Sequence, residues 1–235
     1  MTGTATGRGV RIAVIDSGVN PDHAHIEASR LAAGAGIRGD GSVELGAEAT
    51  LDRLGHGTAV MAAIQEKAPG ATCIPIRVFH DSLRTTGLGL IAALDWAIAQ
   101  RVDVINLSLG STTPAHAPAF GAAIERANRA ATIVVAPREV DGAPCYPGAI
   151  DGVIGVGIDW DCPRAAFRVA EDQRHFLASG YPRPIPGVPP RRNLYGISFA
   201  TAQLSGFAAC ALENLPSAGP ARITALRTAL YANAR

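Results

Sequence analysis

"VRIAVIDSG", residues 10–18, decides how the rest of the chain is read. Val10, Ile12, Val14 and Ile15 make a nearly continuous apolar run, and Asp16-Ser17-Gly18 ends it. Apolar residues at odd and even positions alike suit a strand covered on both faces, as in a parallel sheet. Similar runs recur in "TCIPIRVF" (72–79), "VDVINLSL" (102–109), "ATIVVA" (131–136) and "GVIGVGI" (152–158). Helical spacing lies between them. It runs from His56 to about Lys67, from about Gly87 to Gln100 with Ile91, Leu94 and Ile98 on one face, and from about Pro118 to Ala130. A helix beginning at Ser198 and "ARITALRTALYANA" (221–234) close the chain. Strands alternating with helices predict an α/β fold: three layers, a mostly parallel central sheet and helices on both faces. No linker, repeat or low-complexity segment interrupts the pattern, so residues 1–235 read as one domain. Within it, "YPRPIPGVPPRRN" (Tyr181–Asn193) reads as an extended Pro- and Arg-rich loop.

Composition excludes several functions. A formal net charge of +1 gives no electrostatic case for nucleic acid or an acidic membrane surface, and Arg191-Arg192 is too short for a basic tract. No run of about 18 apolar residues exists to span a membrane. The N-terminus lacks the charged-then-apolar pattern of a signal peptide, so the expected address is cytoplasmic. Cys73, Cys145, Cys162 and Cys210 form no Cys-x-x-Cys pair and are expected to be reduced core residues. Nothing in the residues sets an oligomeric state.

In open α/β sheets ligands sit at the carboxyl ends of strands. That rule singles out Asp16, Ser108 and the segment after Ala136. A further candidate lies in "NLYGISFATAQLSGFAACAL" (193–212). The helix that Ser198 opens is apolar all round and so must be buried. A hydroxyl at its first turn is a cap or a tool. His56, in "LGHGTAVMAAI", also opens a helix, where unpaired backbone N–H groups favour developing negative charge. Gly55, Gly57 and Gly196 leave the backbone room for close approach. A nucleophile, a base and an orienting carboxylate make a hydrolase. Asp16, His56 and Ser198 follow the Asp–His–Ser chain order that belongs to subtilisin among the known triads.

The surrounding motifs carry a family resemblance. "VIDSGV", with a His after it, resembles the Asp motif of subtilisin-like serine proteases, and "GHGTAV" resembles their His motif. "GISFATAQLSG" resembles their Gly-Thr-Ser-Met-Ala-x-Pro motif, with Ile197 for Thr and Ala202 for Pro. "DWAIAQRVDVINLSLG" is similar to the family's helix and following strand, and "YPGAIDGVIGVG" to another strand, so the likeness spans about Val10 to Leu212. The resemblance implies a serine endopeptidase acting on a peptide or protein substrate without a cofactor. Ser198 would attack, His56 would accept and return the proton, and Asp16 would orient His56. It also implies that Ser108, Leu109 and Gly110 pair with substrate backbone by strand addition, with Leu83–Thr85 as the opposite edge. Ala136, Pro137 and Arg138, with Tyr146, would edge the pocket for the residue before the cut.

Four departures from the family pattern qualify these expectations. The family usually places an oxyanion-hole Asn after the strand matching "TIVVA", and no Asn occurs from Ile133 to Gly148. Arg138 is the strong side-chain donor in that segment and the proposed substitute; a backbone N–H of the rearranged loop is the other candidate. The family's frequent calcium-binding loop after the His motif is deleted, so no calcium is expected there. Ala59 stands where the family often has a second His. No pro-segment precedes Asp16, which implies folding without an intramolecular chaperone. Together these suggest a specialised protease, with peptide maturation as one candidate by analogy. Two alternatives stay open. One is a pseudoprotease that binds peptides but turns over poorly. The other is a metal site built from Asp16, Asp22, His23, His25, Asp52 and His56, although "DHAH" lacks a recognised zinc spacing. "VIDSGV" also lacks the glycine pattern that cradles a dinucleotide.

Overall fold

The apolar runs become a nine-stranded sheet in the computed structural model, which describes residues 5–215 and 221–235. Residues 1–4 and 216–220, which the one-domain reading includes, lie outside the described residues. In chain order the elements are β1 (Arg11–Asp16), β2 (Ala35–Ile37), β3 (Val43–Leu45), α1 (Ala47–Thr50), α2 (His56–Lys67), β4 (Thr72–Arg77), α3 (Gly87–Ala99), β5 (Val104–Leu107) and α4 (Ala117–Arg129). There follow β6 (Ile133–Pro137), β7 (Glu139–Val140), β8 (Ala143–Pro144), β9 (Ile154–Ile158), β10 (Phe167–Val169), β11 (Phe176–Ala178), α5 (Ile197–Leu212) and α6 (Arg222–Asn233).

The strand order is β10-β11-β9-β6-β5-β1-β4-β2-β3. Every pair from β11 to β2 is parallel, and only the two outer pairs, β10–β11 and β2–β3, are antiparallel. The chain builds outward from β1 to β4 on one side and then crosses to β5 on the other. The β1/β5 boundary is therefore the switch point, where a crevice opens beyond the strand ends. Asp16 closes β1 there, and Ser108 follows the last residue of β5.

Alternation along each strand feeds two cores. Ile12 and Val14 point to one face and pack with Val60, Met61, Phe199, Leu204 and Leu226 from α2, α5 and α6. Ala13 and Ile15 point to the other and pack with Leu90, Leu94, Phe120 and Ile124 from α3 and α4. The helix at Ser198 is buried as its composition requires, and Gly206 lets it lie close on α2: a Cβ there would stand 2.5 Å from Lys67 Cβ. The four cysteines are free and buried, and burial raises the Cys73 thiol to about 12. Among the described residues no helix is long and apolar enough to cross a membrane.

The structure adds strands that periodicity does not announce. The outer strands β2, β3, β10 and β11 have three residues each, too few to display a period of two. The segment lacking the Asn folds into a small hairpin, β7–β8. Its turn is Asp141-Gly142, both with positive φ (51° and 78°), the conformation that this residue pair favours in two-residue hairpins. Leu204 is fully buried, whereas Leu45 is 73% exposed on the edge strand. Leu204→Ala is expected to lower unfolding free energy by about 2–5 kcal/mol. Leu45→Ala should stay within about 0.5 kcal/mol. Urea titration of both variants checks the contrast.

Candidate active site

Asp16 is wholly buried at the end of β1. A buried carboxylate must be paired or hydrogen-bonded. Its Oδ1 accepts from His56 Nδ1–H at 2.7 Å and from the Ser17 backbone N–H at 2.7 Å, while Oδ2 has no partner. Burial alone would depress the His56 pKa. The hydrogen bond and charge of Asp16, helped by Asp52, outweigh burial and raise it above the ordinary value. The imidazole is thereby held in the tautomer that leaves Nε2 free to take a proton.

The start of α2 is fixed by a second network. Ser17 Oγ accepts the Gly57 N–H at 2.7 Å and donates to Asp52 Oδ1 at 2.9 Å. Asp52 Oδ1 also accepts the Leu54 and Gly55 N–H groups, and its Oδ2 accepts from the Thr58 N–H and hydroxyl. Asp52 thus collects the unpaired donors at the mouth of α2. Of the three glycines expected to allow close approach, only Gly57 does so: a Cβ there would lie 2.3 Å from Gly18 O. Gly55 and Gly196 face open space and instead hold positive φ angles of 80° and 141°. Of the six residues imagined as a metal cluster, Asp16, His56 and Asp52 serve these separate networks. Among the described residues no three His, Cys, Asp or Glu side chains converge. α2 runs unbroken from His56 to Lys67, so the residues there do not fit the family's loop-borne calcium.

Ser198 lies in the first turn of α5, and Phe199 beside it brings its ring 5.7 Å from that of His56. The Ser198 hydroxyl donates to the Ser108 carbonyl at 3.1 Å, and no hydrogen bond to His56 is formed. Asp16 and His56 are therefore joined, and Ser198 is turned to the neighbouring strand. Asn106, fully buried in β5, ties that strand to α5: it donates to Ser108 Oγ at 2.8 Å and accepts from Ser205 Oγ at 2.9 Å. The sequence does not single out Ser17, Asn106 and Ser205; the available signal for Asn106 and Ser205 is a polar residue inside an apolar run.

The other expected site residues divide. No backbone hydrogen bond is formed by Leu109 or Gly110 among the described residues, so this edge can accept a strand. Ala136 and Pro137 are buried within β6, and Ala136 packs in the α3/α4 core, so its side chain is not available to line a substrate pocket. The Arg138 side chain makes no hydrogen bond among the described residues. Its charge acts on Asp172 and His175, and a Cβ on Gly155 would meet Arg138 Cβ at 3.3 Å and His175 Cβ at 3.4 Å.

The model of the subtilase family (Peptidase_S8) matches residues 7–157, which hold Asp16, His56 and Ser108. The chain belongs to the subtilase family. Membership makes it a serine endopeptidase by class. Relatives that extend past Ser198 include Subtilisin DY of Bacillus licheniformis, 27% identical over 92% of this chain and 81% of that protein. Subtilisin BL of Lederbergia lenta is 31% identical over 90% of this chain and 79% of its own. An intracellular serine protease of Paenibacillus polymyxa is 31% identical over 74% of this chain and 57% of that protein. Among solved structures, Sphericase superposes with a TM-score of 0.73 at 24% identity, covering 97% of this subtilase and 84% of that chain. At that identity the likeness shows the fold.

The His56 environment gives a pH prediction. His56 should titrate with a midpoint above 6.5, because Asp16 raises it against burial. In Asp16→Asn burial remains and the charge is gone, so the midpoint should fall below 6.5. NMR titration of the imidazole distinguishes the two, and an unchanged midpoint would contradict the pairing.

Proposed function

We propose that this subtilase cleaves peptide bonds through an acyl-enzyme formed on Ser198, with His56 as general base then acid and Asp16 as its orienting carboxylate. The observation that carries the reading is the buried 2.7 Å Asp16–His56 hydrogen bond at the sheet's switch point, beside the helix that Ser198 opens. In the reaction Ser198 Oγ leaves the Ser108 carbonyl, gives its proton to His56 Nε2 and attacks the scissile carbonyl. Apo sites commonly hold catalytic hydrogen bonds open until substrate binds. His56 returns the proton to the leaving amine, and water then hydrolyses the ester by the same steps. The substrate backbone adds as a strand to Leu109 and Gly110, opposite Leu83–Thr85, where an unpartnered Thr85 hydroxyl lies.

The backbone N–H of Ser198 supplies one oxyanion donor, and Arg138 is assigned the second. That role requires its side chain to swing from Asp172 and His175. Among relatives, an intracellular protease of Paenibacillus polymyxa and a minor extracellular protease of Bacillus subtilis both occur. The unbroken α2 and four free, buried cysteines favour a specialised protease of a reducing, cytoplasmic setting, built as one domain over residues 1–235. The second reading, a peptide-binding pseudoprotease, is favoured by one observation: Ser198 bonds to Ser108 and not to His56.

Hydrolysis of unstructured peptides separates the readings. The wild type should cleave, Ser198→Ala should not, and EDTA should have no effect; no cleavage by the wild type would favour the pseudoprotease. Arg138→Ala should lower kcat by roughly 100- to 1000-fold, the usual loss for one oxyanion donor, with KM little changed. An unchanged kcat would remove Arg138 from the hole.

A further inference from the structure

Beside the proposed active site, between the first turns of α2 and the loop preceding α5, lies a cavity of about 260 Å³. Its polar lining is Asn20, His23, His25, Asp52, Arg53, Thr58, Arg183 and Asn193. It reaches the site through Gly55, which adjoins His56, and through Leu194, four residues before Ser198. None of Ser108–Gly110, the edge assigned to the substrate before the cut, lines it. The cavity therefore adjoins His56, which protonates the leaving amine, and does not touch the edge assigned to the segment before the cut.

The side-chain groups left unpaired in the cavity's polar wall are mainly donors. Asn20 Oδ1 accepts the Asp22 N–H, and Asn193 Oδ1 accepts the Leu194 N–H, which leaves both NH2 groups to donate. His23 Nδ1 accepts the His25 N–H at 3.1 Å, so its remaining ring N–H is on Nε2. Arg183 donates to the His25 carbonyl at 3.2 Å and meets no carboxylate among the described residues. Arg53 reaches only the exposed Glu48, at 3.9 Å. The one carboxylate in the wall, Asp52, spends both oxygens on Ser17, Leu54, Gly55 and Thr58. Nearby Glu66 is already paired with Lys67 and Arg164. Burial, then the charges of Arg183 and His23, push the His25 pKa down against the opposing charge of Glu66. A concave wall with two arginines and two amide donors, whose one carboxylate is already fully hydrogen-bonded, matches a carboxylate, and the arginines can grip it bidentately.

We propose that this cavity is a subsite for a carboxylate on the leaving-group side of the scissile bond, supplied by an acidic side chain or by the substrate's own C-terminus. The proposal rests on Ser198 and His56 acting as described above. It assigns this protease a preference for substrates with an acidic group beyond the cut. Arg53 and Arg183 would set specificity and take no part in bond breaking.

The test uses the full chain and two peptide series with a fixed sequence before the cut. In one, Glu or Gln is stepped through successive positions after the cut with an amidated C-terminus. In the other the C-terminus is a free carboxylate or an amide. One Glu position, or the free terminus, should raise kcat/KM about tenfold or more over its neutral isostere, the ratio expected for charge-assisted hydrogen bonds. The series that responds identifies the source of the carboxylate. Arg183→Gln and Arg53→Gln should each remove most of that ratio, and Arg183→Lys should keep part of it. A ratio near one throughout, or a ratio untouched by both Gln variants, overturns the proposal. If the wild type cleaves no peptide, the hydrolytic reading fails and the cavity is judged by binding. Fluorescein-labelled leaving-side peptides are then titrated against Ser198→Ala. Tighter binding of the acid that is lost with Arg183→Gln supports the subsite, and equal binding of acid and amide overturns it.

Discussion

The site depends on how closely the mouth of α2 is seated on the turn that ends β1. Only a glycine fits at position 57, because any Cβ would lie 2.3 Å from Gly18 O and 2.9 Å from Gly18 N. With the backbones in contact, the Gly57 N–H reaches Ser17 Oγ and the His56 ring falls on Asp16. The carboxylate sits on a central strand and the imidazole on the first turn of a buried helix, so neither partner is carried by a mobile loop. Mutual placement within a hydrogen bond is what a base and its orienting group require.

A second tie brings the helix of Ser198 to the same place. α5 crosses α2 closely at Gly206, and its Ser205 hydroxyl grips Asn106 in β5. Asn106 in turn holds Ser108, whose carbonyl receives the Ser198 hydroxyl. A typical hydrogen bond of this kind adds about 0.5–1.5 kcal/mol, while orphaning a buried partner costs about 1–3 kcal/mol. The chain Ser205–Asn106–Ser108 therefore acts less as a source of stability than as a constraint on register. It excludes arrangements in which α5 slides along the sheet and carries Ser198 away from the switch point.

The parallel strands at the centre and the long helices were legible because burial on two faces, or all round, leaves an unmistakable apolar run. The edge strands were not, since three residues cannot show a period. Asp16, His56 and Ser198 could be singled out because each sits where a strand ends or a helix begins. The direction of the Ser198 hydroxyl could not, because it is a rotamer choice set by the nearby Ser108 carbonyl. The role of Asp52 as collector of helix-mouth donors depends on the folded loop before α2, and Asn106 and Ser205 were hidden as single polar residues in apolar runs. The segment around Arg138 was read for the Asn it lacks. Its Asp-Gly turn, a local signal independent of any side-chain donor, explains the hairpin found there. The anion-accepting wall draws on residues from four separate segments, and only folding assembles it.

The central claim is that Ser198 is an activated nucleophile. Labelling with a fluorophosphonate probe, read by intact mass on the wild type, Ser198→Ala and His56→Ala, tests it most directly. The account predicts a single adduct on the wild type and none on either variant. A folded wild type that takes no adduct, or an adduct that survives in Ser198→Ala, would contradict it.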